Sequence, residues 1–153
     1  MVKRESLLVR QGKADQAEQQ WWDEGQAHFS VDSITDPTGA PTQVLDLELG
    51  VTITGQVTIP NWIEGTGQVC VYVDEIGGPF NQALGCDTLT FTRRPSAKPA
   101  RKKYPWEITI LPNVLPDLQL GSSQVYNMTA VFIFDDQVTQ IAGVVDMGNY
   151  LIT

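Results

Sequence analysis

Residues 45 to 59 read LDLELGVTITGQVTI, and this stretch decides the fold. Every odd position is apolar or glycine: Leu45, Leu47, Leu49, Val51, Ile53, Gly55, Val57 and Ile59. Every even position is polar or glycine, from Asp46 and Glu48 through Thr52, Thr54, Gln56 and Thr58. Side chains alternate across a strand, so this period of two marks a β-strand with one buried and one wet face. Fully extended, the stretch would reach about 50 Å at ~3.3 Å per residue, longer than an ordinary sandwich strand. A break is expected at Gly50 or Gly55, so the segment supplies two strands, or one that crosses between sheets.

Further strands follow at turn-bounded intervals. QVCVYV (68–73) puts Val69, Val71 and Val73 on one face and Cys70 and Tyr72 on the other. TLTFT (88–92) sets Leu89 and Phe91 against three threonines, and WEITI (106–110) aligns Trp106, Ile108 and Ile110. VYNMTAVFIF (125–134) is apolar on both faces and is the expected central strand, with VTQIAGVV (138–145) and NYLI (149–152) after it. HFSVDSI (28–34) comes before the DPTGAPT loop. Turn chemistry separates these runs at Pro60-Asn61, Glu64 to Gly67, Gly77-Gly78-Pro79, Gly121 to Ser123 and Asp135-Asp136. Seven or eight short strands so punctuated predict an all-β sandwich over residues 28–153. Residues 1–27 form an N-terminal arm. In it ADQAEQQWWDEG (14–25) spaces Ala14, Ala17 and Trp21 as a short helix would, and Gly25 could end it.

LQLGSSQVYNMTAVF (118–132) resembles the tyrosine corner of immunoglobulin-like domains: a glycine-containing turn, then Tyr126 opening a long strand with Met128, Ala130 and Phe132 in phase. The resemblance covers about fifteen residues and implies an immunoglobulin-like sandwich, not a function. The Cys…Trp…Cys pattern of antibody domains is absent, because neither Cys70 nor Cys86 lies on this strand.

No apolar run approaches the roughly 20 residues that span a bilayer. The apolar run Leu7 to Val9 is too short for a leader core, so the chain as written reads as cytoplasmic. In that compartment Cys70 and Cys86 would stay free; a disulfide needs the strand carrying Cys70 to lie beside the loop carrying Cys86. His28 is the sole histidine, and no GxSxG, GxGxxG or phosphate-loop motif occurs, so no enzyme, cofactor or zinc site is expected.

Charge is distributed unevenly. The chain has 10 Lys and Arg against 18 Asp and Glu, a formal net charge of −8. Six of the ten cations, Arg93, Arg94, Lys98, Arg101, Lys102 and Lys103, fall within RRPSAKPARKK (93–103), read as a loop. No other Lys or Arg occurs from residue 28 to the end, against 13 carboxylates. The acidic body repels phosphate, which disfavours nucleic acid; an acidic protein surface, other copies of the chain included, suits the cluster better. The expectation is therefore a non-enzymatic interaction or self-assembly module, with the basic loop and Trp21-Trp22 of the arm as contact elements. The alternative is a Ca²⁺- or carbohydrate-binding sandwich. It would use Asp74, Glu75, Asp135 and Asp136 as oxygen ligands, with Trp62 as a stacking surface.

Overall fold

The computed structural model of the chain describes residues 3–6, 8–11, 27–42, 44–46, 50–77, 81–93, 101–110 and 124–152. These residues form strands and no helix. In chain order the strands are β1 (Lys3–Ser6), β2 (Leu8–Gln11), β3 (His28–Thr35), β4 (Val44–Leu45), β5 (Val51–Pro60), β6 (Gly65–Glu75), β7 (Asn81–Phe91), β8 (Arg101–Ile110), β9 (Gln124–Asp135) and β10 (Thr139–Ile152). They make two sheets. Sheet I runs β1-β3-β5-β8, and sheet II runs β2-β10-β9-β6-β7 with β4 also beside β10. Every pairing is antiparallel except β4 with β10.

The two sheets pack face to face because the alternating apolar residues of each need a dry partner. Phe29, Ile53, Val57, Ile59, Trp106 and Ile110 from sheet I meet Val69, Val71, Phe91, Met128, Phe132 and Phe134 from sheet II, all at most 2% exposed. Each such burial contributes roughly 1.5–3 kcal/mol for an aliphatic or Phe side chain. Phe29 bridges the layers, its ring centroid 5.9 Å from both Trp106 and Phe132. The architecture is thus a β-sandwich. Among the described residues no helix is long and apolar enough to cross a membrane.

The deciding stretch breaks at Gly50, as one of its two glycines should. Gly50 has φ 89°, and its N–H donates to the Asp46 carbonyl at 3.0 Å. On either side, β4 belongs to sheet II and β5 to sheet I, so the segment supplies two strands in different layers. Gly55 does not break β5. It sits in mid-strand because the Trp106 ring and the Ser30 carbonyl occupy the space a Cβ would need.

Other boundaries differ from the sequence reading. Gly65 and Gly67 lie inside β6 instead of in a turn, and a side chain at Gly67 would meet Phe91 at 2.7 Å and Phe132 at 2.9 Å. β7 begins at Asn81, so Cys86 is on a strand. The two expected C-terminal strands are one, β10, with a bulge between Asp146 and Gly148. Lys3–Ser6 and Leu8–Gln11 of the arm are edge strands, one on each sheet. The helical spacing at 14–25 lies outside the described residues.

Candidate interaction surface

Half of the basic cluster is strand and not loop. β8 starts at Arg101 and pairs Arg101, Lys102 and Lys103 with Pro60, Ile59 and Thr58 of β5. The alternation that buries Trp106, Ile108 and Ile110 therefore reaches back into the cluster. Arg101 and Lys103 take outward positions and are exposed, whereas Lys102 falls on the Tyr104 side. Arg93, which follows β7, is also exposed. Arg94 and Lys98 lie outside the described residues, as do Trp21 and Trp22.

The base of this rim is clamped. The Tyr104 hydroxyl accepts from the Thr92 N–H at 3.2 Å and lies 3.4 Å from the Thr92 carbonyl, to which it can donate. The Tyr104 ring stands edge-on to Phe91 with centroids 4.7 Å apart. Lys102 adds to the clamp: its Nζ lies 4.9 Å from the Tyr104 ring centroid and donates to Thr92 Oγ1 at 3.3 Å. Lys102 is thus engaged by its own subunit. Among the described residues, Arg93, Arg101 and Lys103 form no ion pair. Nearby, Asp87 Oδ2 on β7 accepts the Glu107 N–H of β8 at 3.0 Å, occupying an edge donor that would otherwise face another strand.

Carboxylates gather elsewhere. β6, β7, β9 and β10 together contain no Lys or Arg, and Asp74, Asp135 and Asp146 are exposed on them. The two acidic pairs proposed as cation ligands do not meet. Register pairs Gly67 with Phe134 and Glu75 with Tyr126, so Asp74-Glu75 and Asp135-Asp136 lie at opposite ends of sheet II. Eight residues of strand, roughly 26 Å at ~3.3 Å each, separate them. Asp135 and Asp136 instead hold the β9–β10 turn, accepting the Gln137 and Val138 N–H groups at 2.8 and 2.9 Å. Among the described residues no three His, Cys, Asp or Glu side chains are grouped to hold a metal ion. Trp62 is half-buried against the core at the β5–β6 turn.

Both cysteines are joined. Cys70 on β6 stands directly opposite Cys86 on β7, with Cα atoms 4.1 Å apart, and the disulfide leaves no free thiol. Free thiols were expected for a reducing compartment, with a disulfide only if the loop carrying Cys86 lay beside the strand carrying Cys70. A β7 that begins seven residues earlier brings the two sulfurs together.

A cleft of about 510 Å³ opens between β3 and β10, lined by Asp32, Ser33, Ile34, Met147 and Tyr150 among others. Both strands are bulged there, between Val31 and Ser33 and between Asp146 and Gly148.

Sequence reasoning missed one surface. The double-sided apolar pattern of β9 predicts a central strand. β9 is central in sheet II, but its outward face is open, with Ile133 55% and Val125 46% exposed. Neighbouring strands add Val144, 49% exposed, and Tyr72, 38% exposed. Apolar residues in the odd phase of β9, Val125, Val131 and Ile133, were the available signal.

No family model, no curated protein and no solved structure matches the chain.

Proposed function

We propose that the chain is a non-enzymatic interaction or self-assembly module, whose basic rim between β7 and β8 contacts an acidic protein surface. One observation carries this reading: among the described residues Arg93 after β7 and Arg101 and Lys103 on edge strand β8 are exposed and form no ion pair, while β6, β7, β9 and β10 of sheet II hold carboxylates and no Lys or Arg. Exposed cations held clear of a chain's own acids serve an outside partner better than they serve the fold, because isolated surface charges add little stability. Trp21 and Trp22 of the arm complete the proposed contact set.

The scaffold is read as immunoglobulin-like. With β3, β5 and β8 taken as A, B and E, and β10, β9, β6 and β7 as G, F, C and C′, the strand order supports that Greek key. Tyr126 supports it too, being buried near the start of the strand in the F position. The Cys70–Cys86 bond favours an oxidising compartment over the cytoplasmic one expected from sequence, since cytosolic thiols are kept reduced.

Sizing the full chain against salt tests the reading. Screening shortens from about 10 Å at 0.1 M salt to about 3 Å at 1 M. The apparent mass should fall towards 16.9 kDa as salt rises. Replacing all six cations of 93–103 by Ser should remove that dependence. A wild-type chain that stays monomeric at high concentration and at every salt overturns self-assembly.

A further inference from the structure

The outward face of sheet II has a composition unusual for a solvated sheet. Register lays its side chains out in rows that cross four strands. One row is Val144 (β10), Val131 (β9), Cys70 (β6) and Cys86 (β7). The rows on either side are Ala142, Ile133, Gln68 and Thr88, and Asp146, Thr129, Tyr72 and Ala83. Valine, isoleucine, tyrosine and a disulfide thus form one contiguous centre, and Ile133, Val144 and Tyr72 are 55%, 49% and 38% exposed. Scattered exposed apolar residues need no explanation, whereas a contiguous patch with a polar border marks a contact surface. The border here is mostly acidic: Asp74 in the row beyond Tyr72, Asp146 at the flank, and Asp135 in the row beyond Ile133, a row that ends at Arg10 of β2.

We infer that this face is the acceptor for the basic rim of a second copy of the same chain. The inference rests on the self-assembly reading above and names the surface that the rim would meet. Charge complementarity selects the occupant. The face carries carboxylates around an apolar centre on β6, β7, β9 and β10, which hold no Lys or Arg; at its β2 edge Arg10 stands opposite Gln140, in the Asp135 row. The rim presents Arg93, Arg101 and Lys103, and the segment joining β7 to β8, RPSAKPA (94–100), mixes two further cations with proline and alanine. Two copies joined face to face would bring the acidic border of one, Asp74 and Asp146 included, against the acidic border of the other, so a symmetric pairing of this face is opposed by repulsion.

Rim and face also lie on opposite sides of the molecule. Arg101 and Lys103 point outward from sheet I, and Ile133 and Val144 point outward from sheet II. A copy docked through its rim keeps its own face free. The contact is heterologous and propagates into a ring or an open filament.

Two variants of the full chain test this, each first shown by circular dichroism and melting to be folded. Replacing all six cations of 93–103 by Ser removes the donor and keeps the acceptor. Ile133→Lys/Val144→Lys does the reverse at positions that are half exposed. Each alone should run at 16.9 kDa. Mixed in equal amounts, they should form a complex of twice that mass and no larger, because one intact donor meets one intact acceptor. A face variant that assembles like the wild type while the rim variant stays monomeric overturns the acceptor and leaves the rim in place. A rim variant that assembles like the wild type overturns both. Mixing that yields only monomers overturns the pairing of rim with face. Should the lysine pair fail to fold, Asp74→Asn/Asp146→Asn alters only the border. It should flatten the salt dependence of assembly, and an unchanged dependence counts against the inference.

Discussion

Gly55 shows how one residue records a packing decision. In the sequence it is one more member of the buried phase of β5. In the sandwich it is the gap into which the Trp106 indole fits, under the Ser30 carbonyl. Gly55→Ala should destabilise the fold by about 2–3 kcal/mol, the usual cost of forcing extra volume into a packed core. The midpoint of urea unfolding measures it. Trp106 carries a second cost, because its Nε1 is buried without a hydrogen-bond partner among the described residues. Trp106→Phe removes that orphan donor while leaving a small void, so the two effects oppose and the net change should stay within about 1 kcal/mol. Trp106→Ala keeps only the void and should cost about 3–5 kcal/mol.

Two tyrosines report burial by titration. Burial raises the Tyr126 phenol above its ordinary 10.0, with the charge of Glu75 adding to the effect, and burial alone raises Tyr150. A raised folded-state value means that the contribution to stability is whole below pH 10 and fades as pH climbs past it. Phenolate absorbance of the native chain should therefore lag that of the urea-unfolded chain above pH 10. Coincident curves would place both phenols in solvent. At the acid end Asp36 behaves oppositely. Hydrogen bonds from the Thr38 hydroxyl, then from the Ala40 and Thr38 amides, hold its carboxyl below the usual 3.8. The order it gives the loop after β3 should persist above that value and be lost as pH falls below it.

Among the elements, the β6–β7 hairpin depends most on its covalent link. Strand β7 is an edge that pairs with β6 alone, and Cys70–Cys86 fastens it at mid-length. The bond closes a loop with a sequence separation of 16, for which chain-entropy reasoning gives about 3 kcal/mol. Cys70→Ser/Cys86→Ser should lower unfolding free energy by roughly 2–3 kcal/mol, read in urea beside the oxidised wild type. Exposed Cys86 should also let a small reductant open the bond in the folded protein. On the facing edge, Asp87 occupies the Glu107 amide, a device that blunts strand-to-strand growth. Asp87→Ala should raise light scattering at high concentration with little change in the melting temperature.

For the whole molecule, charge has a direction. Arg101 and Lys103 sit on the outward side of sheet I at its β8 edge with Arg93 close in sequence after β7, carboxylates border most of the open face of sheet II, and an apolar centre lies between those carboxylates. The cluster at 93–103 was visible in the sequence because charge counts need no coordinates. Its geometry was not visible, since whether Lys102 points out with Arg101 or in towards Tyr104 depends on the phase of β8. The acidic pairs misled for a related reason. Two loops adjacent in a strand diagram lie at the same end or at opposite ends according to pairing order, and β6 against β9 puts them far apart.

The alternating residues determined by themselves that residues 28–153 fold as β-strands in layers, which faces of β5, β6 and β8 are buried, and that Leu45 to Ile59 must break at a glycine. Those are properties of local period and turn chemistry, set within a few residues. Only the tertiary structure decided which glycine breaks, that Cys70 meets Cys86, and that β9 hides one apolar face and offers the other. Each of these depends on contacts between residues distant in the chain, and side-chain alternation carries no information about which strand lies alongside.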